Sequence, residues 1–400
     1  MKRTAPVAAM ALVSVSFTLA GCSDDESTSQ PSANGDVLLA PPPVGQGRQL
    51  SMQARVEAGD EIEYCQYVVL PEAIDVASFE HRYSPGSHHL LLYLTTKTAD
   101  DVAGDTERFD CASRDDLGLG GIAYAAQVPE GATAFPDGVA MRFAKGQVVL
   151  MQSHYFNTTG AALDADVRLN MWQTKTPLEQ EAGTLFFYDY TIAVPPHGSA
   201  EAEMRCAIPK DIHVAFAMSH MHRRGVGYHA ALEGGDLEAP QTLYDTTQWE
   251  RVEPAVLDPP LTMKAGQTVR FSCSYQNETD QFIVEGPSAA KNEMCMFIAT
   301  YWPRLEFEDE FCARPGSGPV FHGERTCAET LACAQGAGDP VAVEQCQVET
   351  CEASSAALGD FNGCMFYRCN AECITGTDGC SGCVAKNCLD QYQACQAAGC

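Results

Sequence analysis

The stretch "SHMHRRG", residues 219–225, sets two histidines one residue apart. Residues i and i+2 of a strand share a face, so His220 and His222 would present two imidazoles side by side. Of the ten histidines, three more fall inside apolar, strand-like runs: His88 and His89 in "SHHLLLY", and His154 in "MQSHYFN". These five are candidate metal ligands. Two imidazoles leave a metal short of donors, and "NEMCMF" (292–297) offers two thioethers, Met294 and Met296, on one strand face with Cys295 on the other. Two imidazoles with a soft thioether make a poor zinc set and favour copper, Cu(I) above all. The competing reading is ordinary. A lone buried histidine is more often a hydrogen-bonded core residue than a ligand, and methionines more often fill core space. Arg223 and Arg224 read as solvated edge residues rather than an anion site.

These side chains need a rigid frame. From about residue 50 to 312 the chain is a series of short β-branched and aromatic runs, such as "EIEYCQYVVLP", "TLFFYDYTIAVP" and "QTVRFSCSYQN". Turn residues break them, and no long amphipathic helix is evident, so the pattern predicts an all-β fold of sandwich type. "TPLEQEAG" (176–183) is a polar seam between two groups of strands. After Cys312, "ARPGSGPVFHGE" reads as a linker. Closely spaced cysteines then follow among Ala, Glu, Gln and Leu, predicting short helices held by disulfides. "CSGC" (380–383) has the spacing of a redox pair, but among twelve neighbouring cysteines it reads as a structural staple.

The 19 cysteines divide into one at Cys22, six in the body and twelve after residue 320. Even numbers in each folded part predict disulfides and an oxidising compartment. The chain starts with a basic Lys2-Arg3, an apolar stretch from Val7 to Leu19, and Leu19-Ala20-Gly21-Cys22, similar to a bacterial lipoprotein signal with Cys22 as the lipidated residue. The Ser-, Asp- and Pro-rich sequence that follows predicts a disordered tether. The expected organisation is a signal peptide at 1–21, a tether at 22–50, β-domains at 51–178 and 179–312, and a linker with a Cys-rich tail at 313–400. The expected location is the bacterial cell envelope, lipid-anchored at the outer membrane or cell surface. A net charge of −28 argues against a nucleic-acid partner; an acidic surface favours cations, metal ions among them.

Five motifs, "SHHLLLY", "MQSHYFN", "IHVAFAMSHMHRRG", "FSCSYQN" and "NEMCMFIATYWP", occur in the same order as in the copper type II, ascorbate-dependent monooxygenases. This is the family of the peptide-amidating monooxygenase and dopamine β-monooxygenase. The resemblance covers roughly residues 50–312, leaving out the tether and the tail. It implies two tandem, jelly-roll-like β-sandwich domains, each with one copper ion, facing a solvent-filled cleft. It implies a first, electron-storing site at His88, His89 and His154, and a second, O₂-using catalytic site at His220, His222 and Met294, with His213 a further family histidine that is not a ligand. It implies the disulfides Cys65–Cys111, Cys206–Cys312 and Cys273–Cys295. One family disulfide is missing: Thr95 stands near one partner's position, and no second cysteine follows Cys111. The implied reaction is hydroxylation of a substrate C–H with O₂ and single electrons from ascorbate or an equivalent reductant.

Two departures bear on the substrate. Met218, on the face of His220 and His222, stands where the amidating enzyme has an arginine that holds a peptide carboxylate, and Ile298 stands where the family often has a tyrosine. Met218 and Ile298 are therefore the candidate pocket residues, and the expected small-molecule substrate is not a peptide C-terminal glycine. The main alternative is a non-catalytic lipoprotein that binds or delivers copper. A single-copper electron carrier of the blue type ranks lower, because it needs a free cysteine thiolate.

Overall fold

The computed structural model describes residues 39–114, 116–373 and 379–400. The signal peptide and Cys22 lie outside them. Order begins earlier than the expected tether end at 50. Gly47–Val56 is a strand, and the preceding segment is held through its carbonyls, Leu39 O accepting from Gln49 Nε2 (2.9 Å) and Ala40 O from Asn170 Nδ2 (2.9 Å).

The described body is mostly β. In its first half a six-stranded sheet runs Gly47–Val56, Leu163–Gln173, Ile74–Tyr83, Val139–Phe143 and Gln180–Glu181, with Glu130–Ala134 beside Ile74–Tyr83. A five-stranded sheet runs Phe109–Asp110, Glu61–Val69, Val148–Phe156, Ser87–Thr95 and Leu119–Ala126. In the second half a four-stranded sheet runs Gly183–Asp189, Cys295–Trp302, Ile212–His220 and Ala255–Met263. A five-stranded sheet runs Gln241–Thr246, Gly225–Gly234, Gln267–Gln276, Ser199–Ala207 and Gly318–Val320. Leu50, Phe79, Leu92, Met151 and Val167 share one core; Phe187, Phe216, Phe271, Phe297 and Tyr275 share the other.

The halves are not separate bodies. Along Ser87–Thr95, Leu90, Leu92 and Leu94 fill the first core while Leu91 and Tyr93 pack against the second. That two-sided burial explains why "HHLLLYL" reads as one apolar run rather than an alternating one. Ile122 and Ala125 likewise join the second core, and Trp302 joins the first. At the seam, Gln180–Glu181 pairs in parallel with Val139–Ala140.

One device occurs twice. After Val148–Phe156, the amide of Asn157 donates to the carbonyls of Val56, Glu57 and Ala161, and its Oδ1 accepts from the Thr159 backbone and hydroxyl. After Gln267–Gln276, Asn277 does the same with Val194, Pro195, Gln281 and Thr279. Both asparagines are fully buried, and both sit two residues after a buried tyrosine, Tyr155 or Tyr275. A polar turn can be buried here only because one amide answers several backbone groups.

The tail is not a free appendage. Gly318–Val320, expected to be linker, adds an edge strand against Glu203–Arg205, covering an otherwise open sheet edge. Arg205 then reaches Glu352 (3.5 Å), and His322 reaches Glu203 (3.3 Å). Helices Cys327–Gly336, Pro340–Val348, Glu352–Cys373, Cys380–Asn387 and Leu389–Ala397 follow. Thr326 and Glu329 form a capping box on the first, and Asp339 caps the second with Pro340 in its first turn. Six disulfides hold them: Cys327–Cys395, Cys333–Cys346, Cys351–Cys400, Cys364–Cys388, Cys369–Cys383 and Cys373–Cys380. The two cysteines of "CSGC" therefore pair elsewhere.

Replacing Asn157 or Asn277 by alanine strands several buried carbonyls, so each is expected to destabilise the protein by about 2–4 kcal/mol. Denaturant unfolding checks this. Equal losses at both positions would mark the two turns as equivalent, and a loss below about 0.5 kcal/mol would mean that water replaces the amide.

Candidate metal centre

Adjacent strand residues point to opposite faces, so His88 and His89 should diverge. The ladder with Val148–Phe156 breaks between Ser87 and His89: Ser87 pairs with Tyr155 and His89 with His154, leaving His88 as a bulged residue. The bulge brings both rings to His154. Ring centroids lie 5.5 Å apart for His88–His89, 5.4 Å for His88–His154 and 5.0 Å for His89–His154. One ring nitrogen from each lies within 4.8 Å of the others.

The opposite nitrogens meet carboxylates. Glu61 and Glu63 share a strand face, with Glu63 directly opposite His154 in register. His154 Nε2 is 3.2 Å from Glu61, and His89 Nε2 is 4.0 Å from Glu63. The hydrogen bond to His154 draws the Glu61 carboxyl down to about 2 despite partial burial, whereas burial pushes Glu63 up. Glu63 also accepts from Gln152 (3.1 Å), whose own oxygen accepts from Tyr93 (3.3 Å). Carboxylates behind imidazoles fix ring orientation and raise ligand basicity.

The strand Ile212–His220 ends at its first candidate ligand, and His222 lies in the turn that follows rather than on the strand. Their rings still meet, 5.2 Å apart. Glu293 makes this possible. Its buried carboxylate accepts the His222 N–H (3.0 Å) and the Arg224 N–H (2.7 Å), taking the place of a neighbouring strand. Burial pushes its carboxyl up to about 7 against those bonds. Gly225 is needed where the turn closes, because a Cβ there would lie 2.9 Å from the Met221 side chain.

His220 pairs with Met296 and Met218 with Ile298. Met294 lies just before the strand Cys295–Trp302 and packs against the second core. Met294 is half-buried, and its carbonyl accepts from Tyr275 (2.8 Å). Met296, on the same face, is buried.

The two groups of histidines do not face one another across open solvent, contrary to what the resemblance implies. His89 and His220 rings are 5.5 Å apart at 89°, and His89, His154, His220 and His222 are all buried. Three contacts between the halves hold them there. Gln127 accepts from His220 Nδ1 (2.5 Å) and donates to Ser219 O (2.6 Å). Glu61 accepts from Ser288 Oγ (3.0 Å) and the Ala289 N–H (2.8 Å). Trp249 stands edge-on to His88, centroids 5.8 Å apart.

Burial drives the imidazoles toward their neutral, metal-binding form. His88 falls to about 4 and His222 to about 3, with burial the main cause and the neighbouring imidazoles adding to it; His89 and His220 are lowered for the same reasons. The residues fit a metal. His88 Nε2, His89 Nδ1 and His154 Nδ1 are buried without a hydrogen-bond partner, which is costly unless a ligand takes them up. His220 Nδ1 is engaged by Gln127, and His222 Nδ1 by Asn292 O (3.2 Å), so Nε2 of each remains for a metal.

The other candidates separate clearly. His213 is half-buried, bonded to Thr262 (3.1 Å) and set against Trp302, away from the cluster. Met218 and Ile298 are buried in the second core, and neither lines the 360 Å³ cavity beside His88. Arg223 is exposed, but Arg224 is not the solvated residue expected: it donates to Ala290 O (2.9 Å) and lies 3.8 Å from Glu293. The body disulfides are Cys65–Cys111, Cys206–Cys312 and Cys273–Cys295. Thr95 bonds Val148 O (2.8 Å) instead of forming a bridge. Sequence reasoning missed Glu61, Glu63, Gln127, Trp249 and Glu293. The "EIE" of Glu61–Glu63 has the same i, i+2 signature as His220–His222, and Glu293 adjoins Met294; nothing local marks Gln127.

Gln127→Leu removes the acceptor that orients His220 and the donor to Ser219 O. It is expected to weaken any metal binding at the His220–His222 pair about 10- to 100-fold while sparing the His88 group. Competition titration with Cu(I) as the probe metal checks this; equal weakening at both groups would mean that the halves have simply come apart.

No curated protein sequence matches the chain. Among solved structures, it is similar to the major capsid protein P2 of bacteriophage PM2 at 10% identity, covering 64% of this chain and 98% of that one with a TM-score of 0.25. It is also similar to PNGase F, a glycosylasparaginase from Flavobacterium meningosepticum, at 9% identity, covering 64% and 94% with a TM-score of 0.29. Neither likeness is close enough to bear on fold or function. The sequence match is more specific. It covers residues 181–323, starting near the expected boundary at 179 and running past the expected end at 312 to include Gly318–Val320. Over residues 181–323, which carry His220, His222 and Met294, the chain matches the family model of the copper type II ascorbate-dependent monooxygenase C-terminal domain.

Proposed function

We propose that the protein is a copper-dependent monooxygenase that hydroxylates a C–H bond of a small-molecule substrate with O₂ and ascorbate or an equivalent one-electron reductant. The observation that carries this reading is a cluster of five imidazoles, four of them buried, with ring nitrogens left free for metal, the His220–His222 part of it inside the family match. His88, His89 and His154 would hold one copper ion, and His220, His222 and Met294 the second. Bound copper would supply one-electron redox chemistry and activation of O₂. The chain's own groups prepare that chemistry. Glu61 and Glu63 orient His154 and His89; Gln127 and the Asn292 carbonyl set the tautomers of His220 and His222. Burial of His89, His154, His220 and His222 keeps four of the five rings from bulk solvent.

The paired sheets and repeated asparagine turns support two tandem β-sandwich domains, 51–178 and 179–312, with the second extended to residue 323. We assign Met218 and Ile298 to the substrate wall, which makes it apolar and unsuited to a peptide C-terminal glycine. Nine disulfides fit an oxidising, extracytoplasmic compartment. A lipid anchor at Cys22 completes the proposed placement at the bacterial envelope. The burial of Met218 and Ile298 away from the cavity favours one other reading, a copper-binding or copper-delivery protein without catalysis.

Two coppers per chain are expected, with ascorbate-dependent O₂ uptake in the presence of substrate. Met294→Ala should abolish turnover while the His88 group stays loaded, as judged by metal analysis and Cu(II) EPR. Full activity in that variant would remove Met294 from the mechanism. Reduced, copper-loaded protein inert to O₂ across a broad panel of C–H substrates would establish the copper-binding reading instead.

A further inference from the structure

The 360 Å³ cavity is placed unlike a substrate site for the His220–His222 pair. Its lining includes Ser87, His88, Gln127, Trp249, Glu250 and Arg251, and no member of that pair, nor Met294. Gln127 forms the wall between the cavity and His220, meeting that ring at Nδ1, the nitrogen turned away from the metal position. Of the five clustered imidazoles only His88 borders the cavity. A molecule in it touches the first histidine group and is screened from the second.

The polar groups at its edge come from both halves. Ser87 Oγ is buried without a hydrogen-bond partner. Arg251 is exposed, and its ion pair with Glu253 (3.0 Å) uses Nε, leaving both terminal nitrogens. Glu250 supplies a carboxylate and Trp249 a ring against His88. A guanidinium beside a carboxylate and a free hydroxyl suits a small polyhydroxylated anion, with its charge on Arg251 and its hydroxyls toward Glu250 and Ser87. A volume near 360 Å³ holds a molecule of that size. A chain of net charge −28 repels anions at long range, so a local cation is required where one enters.

We propose that this cavity is the entry site for the reductant, an enediolate of the ascorbate class, and that Arg251 is its specificity-determining residue. The inference rests on the copper reading above. In copper-loaded protein an ascorbate monoanion there would give up one electron past the His88 edge, reducing one Cu(II) to Cu(I), would release one proton to water, and would leave as the monodehydroascorbate radical.

Two measurements test the site. In metal-free protein, ascorbate should quench tryptophan emission saturably, Trp249→Phe should lose that signal, and Arg251→Gln should weaken the apparent affinity about tenfold. In Cu(II)-loaded protein, loss of the Cu(II) EPR signal under ascorbate should slow about tenfold in Arg251→Gln. Reduction by hexaammineruthenium(II), a cation that needs no guanidinium, should keep its rate or rise. Absence of saturable quenching, or equal slowing with both reductants, overturns the proposal. Quenching by a simple alkylamine in place of ascorbate also overturns it and assigns the cavity to a cation on Glu250. Binding and reduction without any substrate hydroxylation would sink the monooxygenase reading and leave this site standing; turnover unaffected by Arg251→Gln would do the reverse.

Discussion

Five imidazoles packed together, four of them buried, set the terms for the rest of the body. Each buried ring has two nitrogens, and each nitrogen must have a partner or await one. The partners present are Glu61 and Glu63 behind the first group, and Gln127 and the Asn292 carbonyl behind the second. Those partners come from both halves of the chain, so the cluster exists only while the halves are joined. Gln127 is the tightest of these links, since one amide serves a ring from the second half and the carbonyl beside it. The two-sided burial of Ser87–Thr95 serves the same end. A strand packed into both cores can hold His88 and His89 still at the boundary between them.

Local irregularity does what regular strands cannot. Two consecutive histidines reach one cluster only because the ladder skips at His88, and His222 joins it from the segment just after the strand that ends at His220. In each case something replaces the lost ladder contacts. Glu293 supplies acceptors to the turn after His220. At the bulge, Tyr83 donates to the His88 carbonyl at 3.1 Å. Bulges and early strand ends of this kind mark places where a sheet has been re-aimed toward chemistry.

Much of this was legible in the sequence because it follows from periodicity. Strand runs, the polar seam, the even cysteine groups and the five histidines in apolar surroundings are local signals, and the short helices of the tail follow from composition. What escaped was set by tertiary contact. Gln127 sits in an unremarkable "AAQVP", and its importance depends on which strand of the other half comes to lie beside it. Arg224 looked like surface because its neighbours are polar, yet Glu293, almost seventy residues on, draws it inward. Gly318–Val320 looked like linker because Gly and Pro punctuate it; an open edge at Glu203–Arg205 makes a strand of it. The absence of an open cleft was invisible for the same reason, since no single segment encodes the distance between His89 and His220.

The closeness of those two rings changes what the cavity beside His88 must do. With open solvent between two metal sites, a reductant and a substrate would share one approach. Here four of the five histidines are buried and Gln127 closes the path between the cavity and His220. The approach at His88 therefore serves a partner that need only come within electron-transfer distance of that ring, without touching the His220–His222 pair. A substrate that must contact the second group needs another route or a parting of the halves. The same few contacts, Gln127 to Ser219, Glu61 to Ser288 and Trp249 to His88, would have to give way for it. Those three contacts are polar or edge-on, but Leu91, Tyr93, Ile122, Ala125 and Trp302 are packed across the same boundary, so parting the halves would also expose apolar surface, and a separate route to the second group is the less costly of the two.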